Sequence, residues 1–180
     1  MADHMDDLEF AAEHDVPIPY IKRISTYYQT LGYGKPYRWA QYTHVPFTPL
    51  KKPLKDSRIS LITTAAPYQP DKGDQGPGAP YNSAAKFYRV YTDSIEGEPD
   101  VRISHIGIDR KHTTATDPNT WFPLKQLKRL AAEGRIGEIA PNFIGAPTNR
   151  SQKATIEQDG ADILAHVRAA GSDAAIIVAN

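Results

Sequence analysis

Apolar positions fall into a few short, dense runs separated by polar and proline-rich stretches. After Pro19, the residues Ile21, Ile24, Tyr27, Tyr28 and Leu31 recur at helical spacing, and Gly32 is placed to close that helix in a left-handed cap. Residues 33–57 carry Pro36, Pro46, Pro49 and Pro53, a density that forbids a regular helix or a central strand. Arg58 to Thr64, RISLITT, predicts the first buried strand, being β-branched and almost continuously apolar. Pro67 to Pro80 has no periodicity, and loops of that length inside compact domains are usually functional or disordered. Phe87–Tyr91 and Val101–Ile108 read as two further strands. Asn119 or Thr120 is placed to cap a helix with Pro123 near its first turn, bearing Leu124, Leu127, Leu130 and Ala131 on one face and ended by Gly134. Ile136–Ala140 and Phe143–Ile144 predict short strands. Ser151 opens an amphipathic helix through Ile156, Ile163, Leu164 and Val167, ended by Gly171, and Ala174–Ala179 reads as a buried strand.

Strands alternating with helices, with continuous apolar runs, predict an α/β fold: an open, largely parallel sheet with helices on both faces. In such sheets ligands bind beyond the carboxyl ends of the strands, which selects Thr63, Thr64, the residues after Ile108, and Asn180. The last strand ends at that edge with no element after it to cover its sheet. Two expectations stand side by side: the chain is a fragment, or a partner segment completes the domain.

One domain of 180 residues is expected, with a polar arm over 1–15, a helix and proline-rich wrapping segment over 16–57, and the α/β core over 58–180. Lys plus Arg equals Asp plus Glu, 21 against 21, so no excess positive charge favours nucleic acid. No run approaches the roughly 18 apolar residues of a membrane helix, and the acidic N-terminus MADHMDDLEF is not a secretory signal. The chain has no cysteine, which removes disulfides, thiolate ligands and a cysteine nucleophile from it. A cytoplasmic protein without membrane or nucleic-acid partners is the resulting expectation.

The six histidines form no HxH or HExxH group, so a metal site is unsupported although His105 and Asp109 lie four apart. Ser104-His105, in VRISHIGID, is either a hydrogen-bond donor or general acid at a strand end, or holds a half-buried histidine satisfied by backbone. No G-x-S-x-G elbow and no complete phosphate-binding glycine pattern is present. Tyr37-Arg38-Trp39 places a guanidinium between two aromatics, suited to gripping a carboxylate or to packing under the proline-rich segment. Lys51, Lys52, Lys55 and Arg58 form a basic cluster that is either solvated surface or an anion attractor. Thr63-Thr64 either presents hydroxyls to a ligand or closes its strand.

Several segments together resemble the selenoprotein B family of glycine, sarcosine, betaine and D-proline reductases. They are VPIPYI (16–21), YRWAQY (37–42), VPFTPLKKPL (45–54), RISLITTAA (58–66), SHIGID (104–109), DPNTWFPLKQLKRLAAEGRIGEIAP (117–141) and GSDAAIIVA (171–179). The most specific part is the D-x-N-x-x-F-P-L-x-x-L-x-x-L segment followed by E-G-x-I-G, joined to the upstream S-H-x-x-x-D. The resemblance implies an α/β fold and reductive cleavage of a bond at the carbon α to a carboxylate or similar group. The work is done by a selenocysteine or cysteine just beyond the strand matching Ala174–Ala179, a residue this chain does not contain. What carries over is scaffold: Ser104, His105, Asp109, Asp117 and Asn119 as site-forming positions, with Thr63 and Thr64 at the neighbouring strand end.

Taken with the resemblance, the first expectation is a subunit of a reductase-like enzyme acting on a small carboxylate or amine-type substrate. His105 and Ser104 are its candidate catalytic residues, and Arg38, Thr63, Thr64, Asp109, Asp117 and Asn119 its candidate substrate contacts. No cofactor is expected in this chain. The redox Cys or Sec comes from a companion polypeptide continuing the domain after Asn180, itself a candidate processing site, and the heterodimer is expected to form a homo-oligomer. The alternatives are a non-redox, hydrolase-like subunit whose cysteine nucleophile or metal comes from the companion, and a non-catalytic scaffold subunit.

Overall fold

The computed structural model describes residues 13, 16–17, 19–32, 42–76, 79, 82–103, 116–148 and 151–179. The chain divides into two compact units, Met1–Val45 and Pro46–Asn180, and the division falls inside the proline-rich segment. In the first unit the helical spacing is realised as α1 (Tyr20–Thr30). Gly32, at φ 80°, closes it, with its amide bonded to the Gln29 carbonyl. A side chain at that φ would be strained, and glycine is not.

The second unit is built around β1 (Arg58–Thr63), whose Ile59, Leu61 and Ile62 are at most 2% exposed. Burial of each such side chain contributes about 1.5–3 kcal/mol. β2 (Ala66–Pro67) and β4 (Val101–Arg102) form an antiparallel ribbon just past the carboxyl end of β1. β3 (Tyr91–Ser94), β5 (Glu138–Ile139), β6 (Asn142–Gly145) and β7 (Ala174–Val178) join β1 in one sheet. β7 pairs with β1 in parallel from Ile59 to Thr63. Its other neighbours divide the strand: β5 pairs with Arg58 and Ile59, and β6 with Ile62 and Thr63, both parallel. Pro141, which has no N–H to donate, stands where the two segments part. β3 runs antiparallel to β6. The sheet is therefore open and mostly parallel, and the α/β class holds.

α2 (Leu124–Ala132) sets Leu124 and Leu127 into a core with Ile59, Leu61, Trp121, Phe122, Phe143, Val101 and Ile103. Rings of Phe87, Tyr91, Phe143 and Phe122 make successive edge-to-face contacts at 4.6, 5.9 and 4.7 Å, geometry that adds to plain area burial.

Several elements differ from the periodicity reading. The strand expected at Phe87–Tyr91 begins instead at Tyr91, because its partner β6 ends at Gly145, opposite Tyr91. Only Val101 and Arg102 of the 101–108 run form a described strand, and they pair with β2 outside the main sheet. Asp117, rather than Asn119 or Thr120, caps the turn ahead of α2, a 3-10 turn over Pro118–Thr120. The final helix comes in three parts: α3 (Gln152–Ala154), a π turn over Thr155–Asp159, and α4 (Gly160–Ala169). Its apolar stripe is uncovered at Ile156 (62% exposed) and Leu164 (46%). Ala174–Ala179 reads as a buried strand, yet Ile176 and Ile177, successive residues that face opposite sides of the sheet, are both exposed, and β7 has β1 on one side and no described strand on the other. Among the described residues no helix is long and apolar enough to cross a membrane.

Candidate functional site

The carboxyl edge of the sheet is assembled from groups far apart in sequence. At its centre Thr63 is fully buried: its Oγ1 donates to the Trp121 carbonyl at 2.7 Å and accepts from the Ala65 amide at 3.1 Å. Its hydroxyl is a brace between β1 and the segment leading into α2. Thr64 is half-buried, and its amide bonds to the Val178 carbonyl at the end of β7. The Ala146 amide bonds in turn to the Thr63 carbonyl, so β6, β1 and β7 end together.

Asp117 and Asn119 meet each other. Asp117 Oδ1 accepts from the Asn119 backbone amide at 3.0 Å and from its Nδ2 at 2.8 Å. This is a local capping arrangement, and it delivers the Trp121 carbonyl to Thr63. The Trp121 indole donates to the Val101 carbonyl at 3.1 Å, fixing β4 on the same platform. Ile103, the residue before Ser104, is buried in the core. Ser104, His105, Asp109, Arg38 and Asn180 lie outside the described residues.

Three features of this edge were not read from the sequence. Tyr91 reaches over the end of β6, and its hydroxyl donates to the Ala65 carbonyl at 3.1 Å. Burial, and secondarily the Asp93 carboxylate, raises its pKa well above that of an ordinary tyrosine, so it is a neutral donor at physiological pH. Gly145 makes this possible, since a Cβ there would lie 1.7 Å from the Tyr91 ring. The unperiodic loop after β2 is organised by the buried side chain of Gln75, which accepts from the Gln69 amide and donates to the Gln69 and Gly73 carbonyls. Asn82 ties the loop further, donating to the Lys72 and Asp74 carbonyls. Lys86 then donates from Nζ to Thr148 Oγ1, at 2.6 Å, three residues past the end of β6. The sequence signal for Gln75 and Gly145 is slight: a glutamine in a Pro/Gly-rich loop, and a glycine after two apolar residues.

The basic cluster faces the opposite edge. Arg58 pairs with Glu138 at 2.8 Å and donates to the Ala170 carbonyl, and Lys52 pairs with Asp173 at 2.8 Å. The lysine hydrogen bond, then that of the Arg58 amide, holds the Asp173 carboxyl below the usual aspartate range. Among the described residues no group of three or more His, Asp or Glu side chains is placed to hold a metal ion.

Residues 22–180 match the family model for glycine/sarcosine/betaine reductase selenoprotein B (GRDB). The chain is similar to the D-proline reductase subunit gamma of Acetoanaerobium sticklandii, at 32% identity over 135 residues, covering 74% of this chain and 52% of that protein. It is also similar to the glycine reductase complex component B subunit gamma of Carboxydothermus hydrogenoformans, at 27% identity over 141 residues, covering 76% of this chain and 31% of that protein. The chain thus spans about half the length of the first relative and about a third of the second. No solved structure matches. With nearly the whole chain matched, and with the open, mostly parallel sheet in place, the chain belongs to the glycine/sarcosine/betaine reductase selenoprotein B family.

Proposed function

We propose that this chain is the scaffold and substrate-binding portion of a reductase subunit that cleaves a bond at the carbon α to a carboxylate, with the redox selenocysteine or cysteine supplied by a companion polypeptide. The observation that carries the reading is the family match over residues 22–180 in a chain that has no cysteine. The companion residue would supply the nucleophile and electrons, and this chain the carboxyl-edge platform of Thr63, Thr64, Tyr91 and the Asp117–Asn119 turn. Ser104, His105 and Asp109 are proposed to complete that platform. The relatives are subunits of a D-proline reductase and a glycine reductase complex, so D-proline and glycine head the candidate substrates, followed by sarcosine and betaine from the family description. The exposed Ile176 and Ile177 of β7, with Ile156 and Leu164 on the last helix, offer the companion an apolar surface.

The test is co-expression of the chain with its companion, followed by incubation with a dithiol reductant and each of the four substrates. Reductant-dependent consumption of one substrate, lost when the companion is omitted, is the expected result. No turnover by the complex, turnover by the 180-residue chain alone, or reductant-independent hydrolysis by a metal-loaded complex would each overturn the reading.

A further inference from the structure

The two outer strands of the sheet are unlike. β3, at one end, is polar, with Thr92 and Asp93 exposed, and a charge on an edge strand discourages further pairing. β7, at the other, is five residues long, AAIIV, with no charge and no proline. The nearest charge, Asp173, is engaged by the Arg58 amide and by Lys52. The Val178 carbonyl meets the Thr64 amide just past β1, and backbone groups alternate in direction along a strand. The N–H and C=O groups of Ala174, Ile176 and Val178 therefore serve β1, while those of Ala175 and Ile177 point to the outer edge, where no described strand meets them. The Ile176 and Ile177 side chains lie on opposite faces and are 39% and 67% exposed. A single helix laid on the sheet covers one of those faces and leaves the ladder unpaired. A further strand, itself covered on both faces, pairs the ladder and continues both apolar layers.

We propose that β7 pairs through its outer edge with a strand of the companion polypeptide, so that one sheet runs through both chains. The inference rests on the reductase reading above, which supplies the companion, and it states what that companion contains: a strand apolar on both faces, with helices packed over it. Family members hold sequence for such a segment, since the matched stretch is 52% of one relative and 31% of the other. Main-chain hydrogen bonds give this mode of docking its affinity, and the side chains on the two faces give it specificity. Pairing at β7 also sets the companion beside Thr64, the carboxyl-edge residue bonded to Val178.

Two measurements test it. In the first, amide hydrogen exchange is followed residue by residue in the 180-residue chain alone and in its co-expressed complex with the companion. Ala175 and Ile177 should exchange freely in the chain alone and about a hundredfold or more slowly in the complex, while Ile176 and Val178, bonded to β1, are slow in both. Unchanged exchange at Ala175 and Ile177 in the complex overturns the proposal. So does slow exchange there in the chain alone that deepens with its concentration, which assigns the edge to a second copy. In the second, the companion's affinity is compared for the parent, Ile177→Ala and Ile177→Pro. Proline at 177 removes an outward N–H and none that β1 uses, so it should weaken association about a hundredfold or more, against about tenfold or less for alanine. Equal losses in the two variants overturn strand pairing and leave the companion on the faces alone. If Ile177→Pro does not fold, as judged by circular dichroism, the exchange measurement decides. A complex that shows the protection but reduces none of the substrates counts against the reductase reading alone.

Discussion

At the amino edge of the sheet Arg58 reaches Glu138 and the Ala170 carbonyl while Lys52 holds Asp173; at the carboxyl edge Thr63, Tyr91 and Gln75 make neutral hydrogen bonds to backbone. Both edges also use a glycine where chains crowd. Gly137 at the amino edge lies against the Ser57 backbone, where a Cβ would come within 2.8 Å of its N and O, and Gly145 at the carboxyl edge lies under the Tyr91 ring. The two differ in how they are held. Charges paired with each other close the amino edge. Neutral groups bonded to backbone fix the carboxyl edge. Exposed ion pairs are each worth about 0–1 kcal/mol, so the charged edge orients its strands more than it stabilises them.

The largest effect separating the two edges should come from their glycines. Gly137→Ala meets backbone that cannot turn aside and should cost about 3 kcal/mol, measured by urea denaturation. Gly145→Ala should cost a similar amount alone, but the Gly145→Ala/Tyr91→Ala double variant should recover part of it, because the obstacle there is a side chain. No recovery would mean that the two edges are equally rigid.

Thr63→Val should cost about 2 kcal/mol by stranding a buried acceptor at Trp121 and the Ala65 amide. Tyr91→Phe should cost about 1 kcal/mol, since a single part-buried hydrogen bond to Ala65 is lost while the ring packing remains. A smaller penalty for Thr63→Val than for Tyr91→Phe would contradict the central place given to Thr63.

The smallest effect belongs to the amino edge and depends on pH. The Asp173 carboxyl titrates below the ordinary aspartate value of 3.8 in the folded chain, chiefly through the Lys52 hydrogen bond. Its contribution is therefore fully present above that value and is lost as pH falls through the lower folded value. Asp173→Asn should be slightly less stable than the parent at neutral pH, and the two should converge on acidification. Denaturation midpoints followed against pH check this, and parallel curves would argue against the Lys52–Asp173 pair.

Much of the fold was legible because its signals are local. RISLITT predicted β1 to within a residue, since a β-branched apolar run bounded by polar residues has few other homes. The α2 face of Leu124 and Leu127, the Gly32 cap and the strands near 138 and 143 followed from spacing and turn chemistry. The candidate site was legible only in outline. The edge rule located Thr63 and Thr64, and the family pattern located Asp117 and Asn119, but Thr63 is engaged by Trp121, 58 residues away. Asp117 is engaged by the residue two positions on.

By itself, the sequence determined where the chain could be apolar on one face, where it must turn, and that no cysteine chemistry can arise within these 180 residues. Only the tertiary structure decided which strands are neighbours. It split one side of β1 between β5 and β6 and left Ile176 and Ile177 of β7 exposed. It also set Lys86 on Thr148 across 62 residues. The reason is physical: periodicity records which side of an element avoids water, whereas the partner that covers it, and the donor that meets a given acceptor, are fixed only when distant segments pack together.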